Sequence, residues 1–203
     1  MFPFDVILFD VGGVLLTNGW DHRERAAAME HFHLDLAAFE ARNNANYDAW
    51  ERGAVTLKAY LDTTVFYEPR SFSQDDFFGF MLSQSKLLPN GALGILKELA
   101  ASDKCMLGAL NNEARETNEF RFETFGLRTY FQVALSSCYL GLRKPAPAIY
   151  RRALDILGRP AARILFIDDR EENTAAAAAA GMNVIRFDGA DRLRPALESF
   201  GVL

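Results

Sequence analysis

The stretch "LFDVGGVLL", Leu8 to Leu16, decides the fold. It belongs to an apolar run, "FDVILFD" (4–10), that closes on Asp10; Gly12 and Gly13 follow, and then a second apolar run. A carboxylate at the tip of a buried strand, one residue ahead of a glycine pair, marks a site rather than a solvated turn. Four later segments share the makeup of the first: "KCMLGALNN" (104–112), "FQVALSS" (131–137), "ARILFIDD" (162–169) and "MNVIRFD" (182–188). Each is short and rich in Val, Ile, Leu or Phe, as strands buried on both faces are. Helical patterns cover 113–125, 146–157, 171–180 and 191–199. Strand alternating with helix predicts an α/β chain built on a right-handed, doubly wound parallel sheet, a Rossmann-like core.

Residues 17–86 break that rhythm, being helical throughout and inserted straight after the first strand. They are read as a helical cap domain, which leaves 1–16 and 87–203 as the core domain. Asp21 with Glu24 forms a capping-box pattern for a helix to about Phe32. A second helix over 35–50 carries Leu36, Phe39, Asn43, Tyr47 and Trp50 on one stripe. Ser73 with Asp76 starts another, with Phe77, Phe80 and Met81 on its buried face. "LLPNG" (87–91) then turns the chain back to the core, and "ALGILKELA" (92–100) reads as an amphipathic helix on the sheet. The alanine run 175–180 reads as a helix packed close to the sheet.

Composition narrows the class. The chain has 203 residues, 50% hydrophobic and 24% charged, enough for one globular domain with an insertion. A net charge of -5 and the absence of a Lys/Arg cluster exclude a nucleic-acid or anionic-membrane surface. No apolar run is long enough to span a bilayer, and "MFPFD" lacks the basic start of a signal peptide. Two cysteines, Cys105 and Cys138, form neither a disulfide framework nor a zinc pattern, so a reducing, cytoplasmic setting is expected. The oligomeric state, monomer or homodimer, is left open.

Ligands of an open parallel sheet bind at the carboxyl ends of its strands. There the strand pattern gathers Asp10, Asn111 and Asn112, Asp168 and Asp169, with Lys144, held out of helix by Pro145, in the loop after the third strand. Three carboxylates meeting at one edge call for a hard cation with oxygen ligands, Mg²⁺ being the natural one.

"FDVGGVLL", "LNN", "GLRKPAPAIY" and "FIDDREENTAAAAAAG", in that order and spacing, resemble the four motifs of the haloacid dehalogenase superfamily, in its branch with a helical cap after the first motif. The resemblance covers nearly the whole chain. It implies that Asp10 is a nucleophile that takes a phosphoryl group, that Asn111 stands where a Ser or Thr binds that group, and that Lys144 steadies both. It implies further that Asp169, with Asp168 beside it, holds Mg²⁺ together with Asp10 and the carbonyl of Gly12, and that Asn173 braces the acidic pair. The free amides of Gly12 and Gly13 would cradle phosphate, with Asn112 beside them. Such chemistry depends on position and charge neutralisation, because a phosphomonoester repels a carboxylate nucleophile.

Two positions depart from the common pattern. Asn111 replaces a hydroxyl, a mild change, since an amide also donates to phosphate oxygen. Gly12 replaces a second Asp, which removes the general acid and a contribution of about a hundred- to ten-thousand-fold in rate. A substitute would come from the cap, where His22 and Asn43 are the candidate substrate contacts; Asp21 is better explained as a helix cap. The reading is an Mg²⁺-dependent phosphatase of small phosphorylated metabolites, phosphosugars first. Its rivals are a phosphate- and metal-binding regulator on the same fold and a metal-independent 2-haloacid dehalogenase.

Overall fold

In a computed structural model describing residues 2–203, the five apolar segments form one sheet of order β3-β2-β1-β4-β5. The strands are β1 (Val6–Phe9), β2 (Met106–Ala109), β3 (Val133–Ala134), β4 (Ile164–Asp168) and β5 (Asn183–Arg186), and every neighbouring pair is parallel. β1 is central: Leu8 pairs with Gly108 on one side and Phe166 on the other. Gly108 is needed there, because a Cβ on it would lie 2.6 Å from Val133 Cγ1 and 2.9 Å from Leu8 Cδ2.

Alternation along the strands divides the core into two layers. Ile7, Phe9, Leu165 and Ile167 face one layer, which α5 (Leu93–Ser102) and α10 (Ala190–Ser199) cover with Ile95, Leu96, Leu99, Leu193 and Leu197. Val6, Leu8, Ile164 and Phe166 face the other, covered by α8 (Pro147–Leu157) and α9 (Glu171–Ala179) through Ile149, Tyr150, Ala153 and Ala177. Helices on both faces of a parallel sheet are the doubly wound arrangement the alternation predicted.

Between β1 and α5 lie α1 (His22–His31), α2 (Leu36–Glu51), α3 (Leu57–Thr64) and α4 (Gln74–Ser83). Asp21 and Ser73 start α1 and α4 with reciprocal capping boxes through Glu24 and Asp76. The four helices bury an apolar cluster of their own, including Trp20, Phe39, Trp50, Tyr60, Phe77 and Met81. Trp50 stacks on Tyr60 at 4.3 Å. Leu36, expected on the buried stripe of α2, is 40% exposed, and Phe80 stacks on His31 at the edge of the cluster. The entering and leaving chains are tied together: Thr17 N donates to Lys86 O, and Thr17 Oγ1 to Gln84 O, both at 2.9 Å.

The elements left to name are α6 (Arg115–Thr124) and the single turn α7 (Ser137–Leu140). Sequence patterning did not find α3, whose eight residues follow the Thr56 cap, nor α7, which stands where the third strand was expected to run on. Ser136 and Ser137 leave the sheet because their hydroxyls bond to Asn111, Asn118 and the Glu51 carbonyl instead of a ladder.

Candidate active site

β1 ends one residue before Asp10, whose N donates to Ile167 O of β4 at 2.8 Å. The Asp10 side chain is held by Val11 N, which donates to Oδ1 at 2.8 Å, and by Lys144 Nζ, 3.0 Å from Oδ2. Lys144 is 3% exposed and also donates to Asp168 Oδ2 at 2.6 Å, so one buried ammonium joins the ends of β1 and β4. Asn112 fixes the Lys144 backbone from both sides: Lys144 N donates to Asn112 Oδ1 at 2.8 Å and Asn112 Nδ2 donates to Lys144 O at 2.9 Å. Asp168 is fully buried, and Asn173 Nδ2 donates to both its oxygens, at 3.0 and 3.1 Å, while Arg170 N donates to Oδ1. Asp168 is thereby the anchor of the lysine and of the turn into α9.

Asp169 differs. Its Oδ1 is buried without a hydrogen-bond partner. Gly13, at φ +73°, passes so close that a Cβ there would lie 2.3 Å from Asp169 Oδ2; only glycine combines that backbone with that approach. Asp10, Asp168 and Asp169 each offer an oxygen within 4.8 Å of the others. Three carboxylates outnumber the cations that face them, Lys144 and, beside Asp169, Arg170. Burial therefore pushes the Asp10 carboxyl up to about 7 against the pull of Lys144, with Asp168 and Asp169 adding to the rise. Burial and the Asp168 charge also raise Asp169. Lys144 stands above its ordinary value: burial lowers it, but Asp10 and Asp168 outweigh that. An all-oxygen donor set, an orphaned carboxylate oxygen and an excess of carboxylates over cations fit a hard divalent cation such as Mg²⁺.

Of these groups Asp10 and Lys144 line a cavity of about 440 Å³, together with Gly12, Asn112 and Asn173, whereas Gly13, Asp168 and Asp169 are not part of its lining. Asn111 is placed elsewhere. It is 1% exposed, donates to Asn118 Oδ1 at 2.9 Å, accepts from Ser136 Oγ at 2.8 Å, and does not line the cavity. His22 stands at the rim with its side chain 75% exposed. Asn43 lines the cavity, but its Oδ1 accepts from Tyr60 Oη at 2.7 Å, so it also serves the helical cluster.

Several lining residues escaped sequence reasoning, chiefly Glu51, Glu113, Arg121, Arg143 and Arg170. Glu113 and Arg121 form a buried ion pair at 2.6 Å, and Arg121 also donates to the carbonyls of Thr17 and Asn18 where the chain enters the insertion. Arg143 meets Asp48 and Glu51 of α2. The one sequence signal for Arg143 was its place next to Lys144 in "GLRKP"; spacing alone does not reveal the others, because their partners lie on other elements.

A Rossmann-like sheet with a carboxylate and lysine centre at its carboxyl edge, and a helical insertion after its first strand, defines a class of hydrolase. Residues 4–181 match the model of the haloacid dehalogenase-like hydrolases, and the chain belongs to that family. It is 28% identical to the chloroplastic flavin mononucleotide hydrolase 1 of Arabidopsis thaliana, over 97% of this chain and 78% of that protein. Among solved structures, a haloacid dehalogenase family enzyme of Bacteroides thetaiotaomicron in complex with magnesium superposes with a TM-score of 0.75 at 20% identity, covering 92% of this chain and 94% of that one. The same enzyme has been crystallised with magnesium and inorganic phosphate. A haloacid dehalogenase-like hydrolase of Porphyromonas gingivalis matches over 97% of both chains, with a TM-score of 0.75 at 19% identity.

Proposed function

We propose that this hydrolase is an Mg²⁺-dependent phosphatase of small phosphorylated metabolites, with phosphosugars as its first substrate class. The observation that carries the reading is the buried chain from Asp10 through Lys144 to Asp168, beside an Asp169 oxygen that has no partner. Asp10, Asp169 and the Gly12 carbonyl would hold the ion, and Asp168 with Asn173 would keep Asp169 and Lys144 in place. Bound there, Mg²⁺ would screen the phosphate charge from the nucleophile.

Asp10 attacks phosphorus and forms an aspartyl phosphate, dividing one hard displacement into two easier ones. Lys144 holds the attacking carboxylate and offsets charge on the transferring group. Of the amides after Asp10, Gly12 N would meet a phosphate oxygen, whereas Gly13 N, expected to be free, is committed to Leu16 O at 2.8 Å and Val11 N to Asp10 Oδ1; Asn112 keeps the lysine aimed. Helices α1–α4 act as a cap over the cavity and select the leaving group. Amides and charges dominate the lining, with Asn18, Asn43 and Asn44 beside Trp20 and Tyr47. That surface suits a hydroxylated leaving group.

Incubation with MgCl₂ and a panel of phosphosugars and other phosphorylated metabolites tests this. Phosphate release is expected, abolished by chelation and by Asp10→Asn. No release from any substrate, with Asp10→Asn matching wild type on an aryl phosphate, sinks the phosphatase reading. Gly12 favours a second reading, a regulator that binds phosphate and metal without efficient turnover, and that null result would support it. Halide release from a 2-haloacid that resists chelation would point to a dehalogenase instead.

A further inference from the structure

We propose that Glu51, carried on α2, is the acid and base of the reaction in place of the carboxyl that Gly12 lacks; this rests on the phosphatase reading. Besides Asp10, four carboxylates line the cavity: Asp21, Glu51, Glu113 and Glu172. Three are committed. Asp21 caps α1 and accepts from Arg23 N and Asn18 Nδ2; burial pushes it up, yet its hydrogen bonds to Glu24, Arg23 and Asn18 hold it down to about 2. Glu113 accepts from Arg121 on one oxygen and from Thr117 on the other. Glu172 is exposed to solvent on the first turn of α9.

Glu51 is 5% exposed and differs from all three. Its Oε2 is ion-paired with Arg143 Nη2 at 2.5 Å without the alignment of a hydrogen bond, and the Tyr47 hydroxyl bonds to its carboxylate. Its backbone is bolted to the catalytic edge: Ser137 Oγ donates to Glu51 O at 2.7 Å, and Ser137 N donates to Asn111 O at 2.9 Å. Two residues on, Gly53 (φ +68°) lets the end of α2 approach α7, where a Cβ would lie 2.5 Å from Cys138 O. The end of α2 is thus held against α7, the turn that leaves β3, which is itself tied to Asn111 after β2.

The groups facing Glu51 are Tyr47 on its own helix, Arg143 before α8, Glu113 after β2 and Arg170 after β4. Burial pushes its carboxyl up, and Glu113 adds to this, against Arg143, Tyr47 and Arg170. A carboxyl raised in this way carries a proton nearer to neutral pH, as an acid catalyst must.

In the first step the Asp10 oxygen bonds to phosphorus and the bond from phosphorus to the leaving oxygen breaks. That oxygen takes the Glu51 proton and departs as an alcohol. In the second step water bonds to phosphorus, the bond to Asp10 breaks, and the water proton returns to Glu51. Substrate and water become alcohol and hydrogen phosphate, with both side chains restored.

Glu51→Gln keeps the shape and the backbone bonds, and is assayed in MgCl₂ with p-nitrophenyl phosphate and with glycerol phosphate. Nitrophenol needs no acid to leave, so the variant should keep a burst of one nitrophenol per site. Steady turnover on both substrates should fall by about a hundred-fold or more, with no glycerol burst. Gly12→Asp in the same chain should restore turnover. Turnover of glycerol phosphate within a few-fold of wild type overturns the role of Glu51 and leaves the phosphatase standing. Loss of the burst together with turnover, unrescued by Gly12→Asp, overturns it as well. A wild-type chain that releases no phosphate from either substrate or from the metabolite panel defeats the phosphatase reading itself, and the role of Glu51 with it.

Discussion

Gly13 and Asp169 show how closely single residues are matched at this edge. An alanine at 13 would be strained at φ +73° and would drive its Cβ into the Asp169 carboxylate. Gly13→Ala is therefore expected to abolish the heat of Mg²⁺ binding in calorimetry, and phosphate release with it. Gly12 is less restricted, since a Cβ there would sit 3.1 Å from Asn18 Oδ1, a contact that a small shift relieves. Asn112→Ala should leave Lys144 on an untethered loop, lowering kcat more than it changes KM, with stability down by about 1–3 kcal/mol in urea titration. The adjacent amides at 111 and 112 also show what a residue string conceals. Successive side chains at a strand end point to opposite faces, so one meets the cavity and the other the interior, and the string does not say which.

At the scale of elements, local chemistry decided where helices begin. Asp21 with Glu24 and Ser73 with Asp76 were readable because both halves of a capping box lie within four residues. α3 was not, because its one strong signal, Thr56, follows a Gly-containing turn and precedes only two turns of helix. The joint between insertion and core is built by α6: Arg121, 1% exposed, pairs with Glu113 and takes up the carbonyls of Thr17 and Asn18. Arg121→Leu would strand a buried carboxylate and two carbonyls. A loss of about 3–5 kcal/mol is expected in chemical denaturation, more than an exposed ion pair is worth.

For the whole molecule, the concentrated negative charge at one sheet edge sets how stability responds to pH and metal. The unfolded chain gives up the Asp10 proton near pH 4, whereas the folded chain keeps it to about 7. The site's contribution to stability is thus full below about pH 4 and is lost as pH rises through about 7. Asp21, held down to about 2, acts with the opposite sign at lower pH, its stabilisation being lost as pH falls towards that value. In thermal melts, Mg²⁺ should raise Tm more at pH 8 than at pH 5, and Asp169→Asn should remove that difference. Equal shifts at both pH values would show that the ion binds away from this edge.

Hydrophobic patterning by itself determined the five-stranded parallel sheet, the helices on its two faces and the helical run after β1, because each is a local period written in consecutive residues. It also gathered Asp10, Lys144, Asp168 and Asp169 at one edge, since every strand of a parallel sheet delivers its last residue to the same side. Only the tertiary structure decided which of those groups are committed to one another. It alone turned Asn111 inward, set Asn112 against the Lys144 backbone, left an Asp169 oxygen without a partner and brought Glu51 to the cavity. Those outcomes depend on distances between elements far apart in the chain, and such distances are set by packing rather than by any period along it.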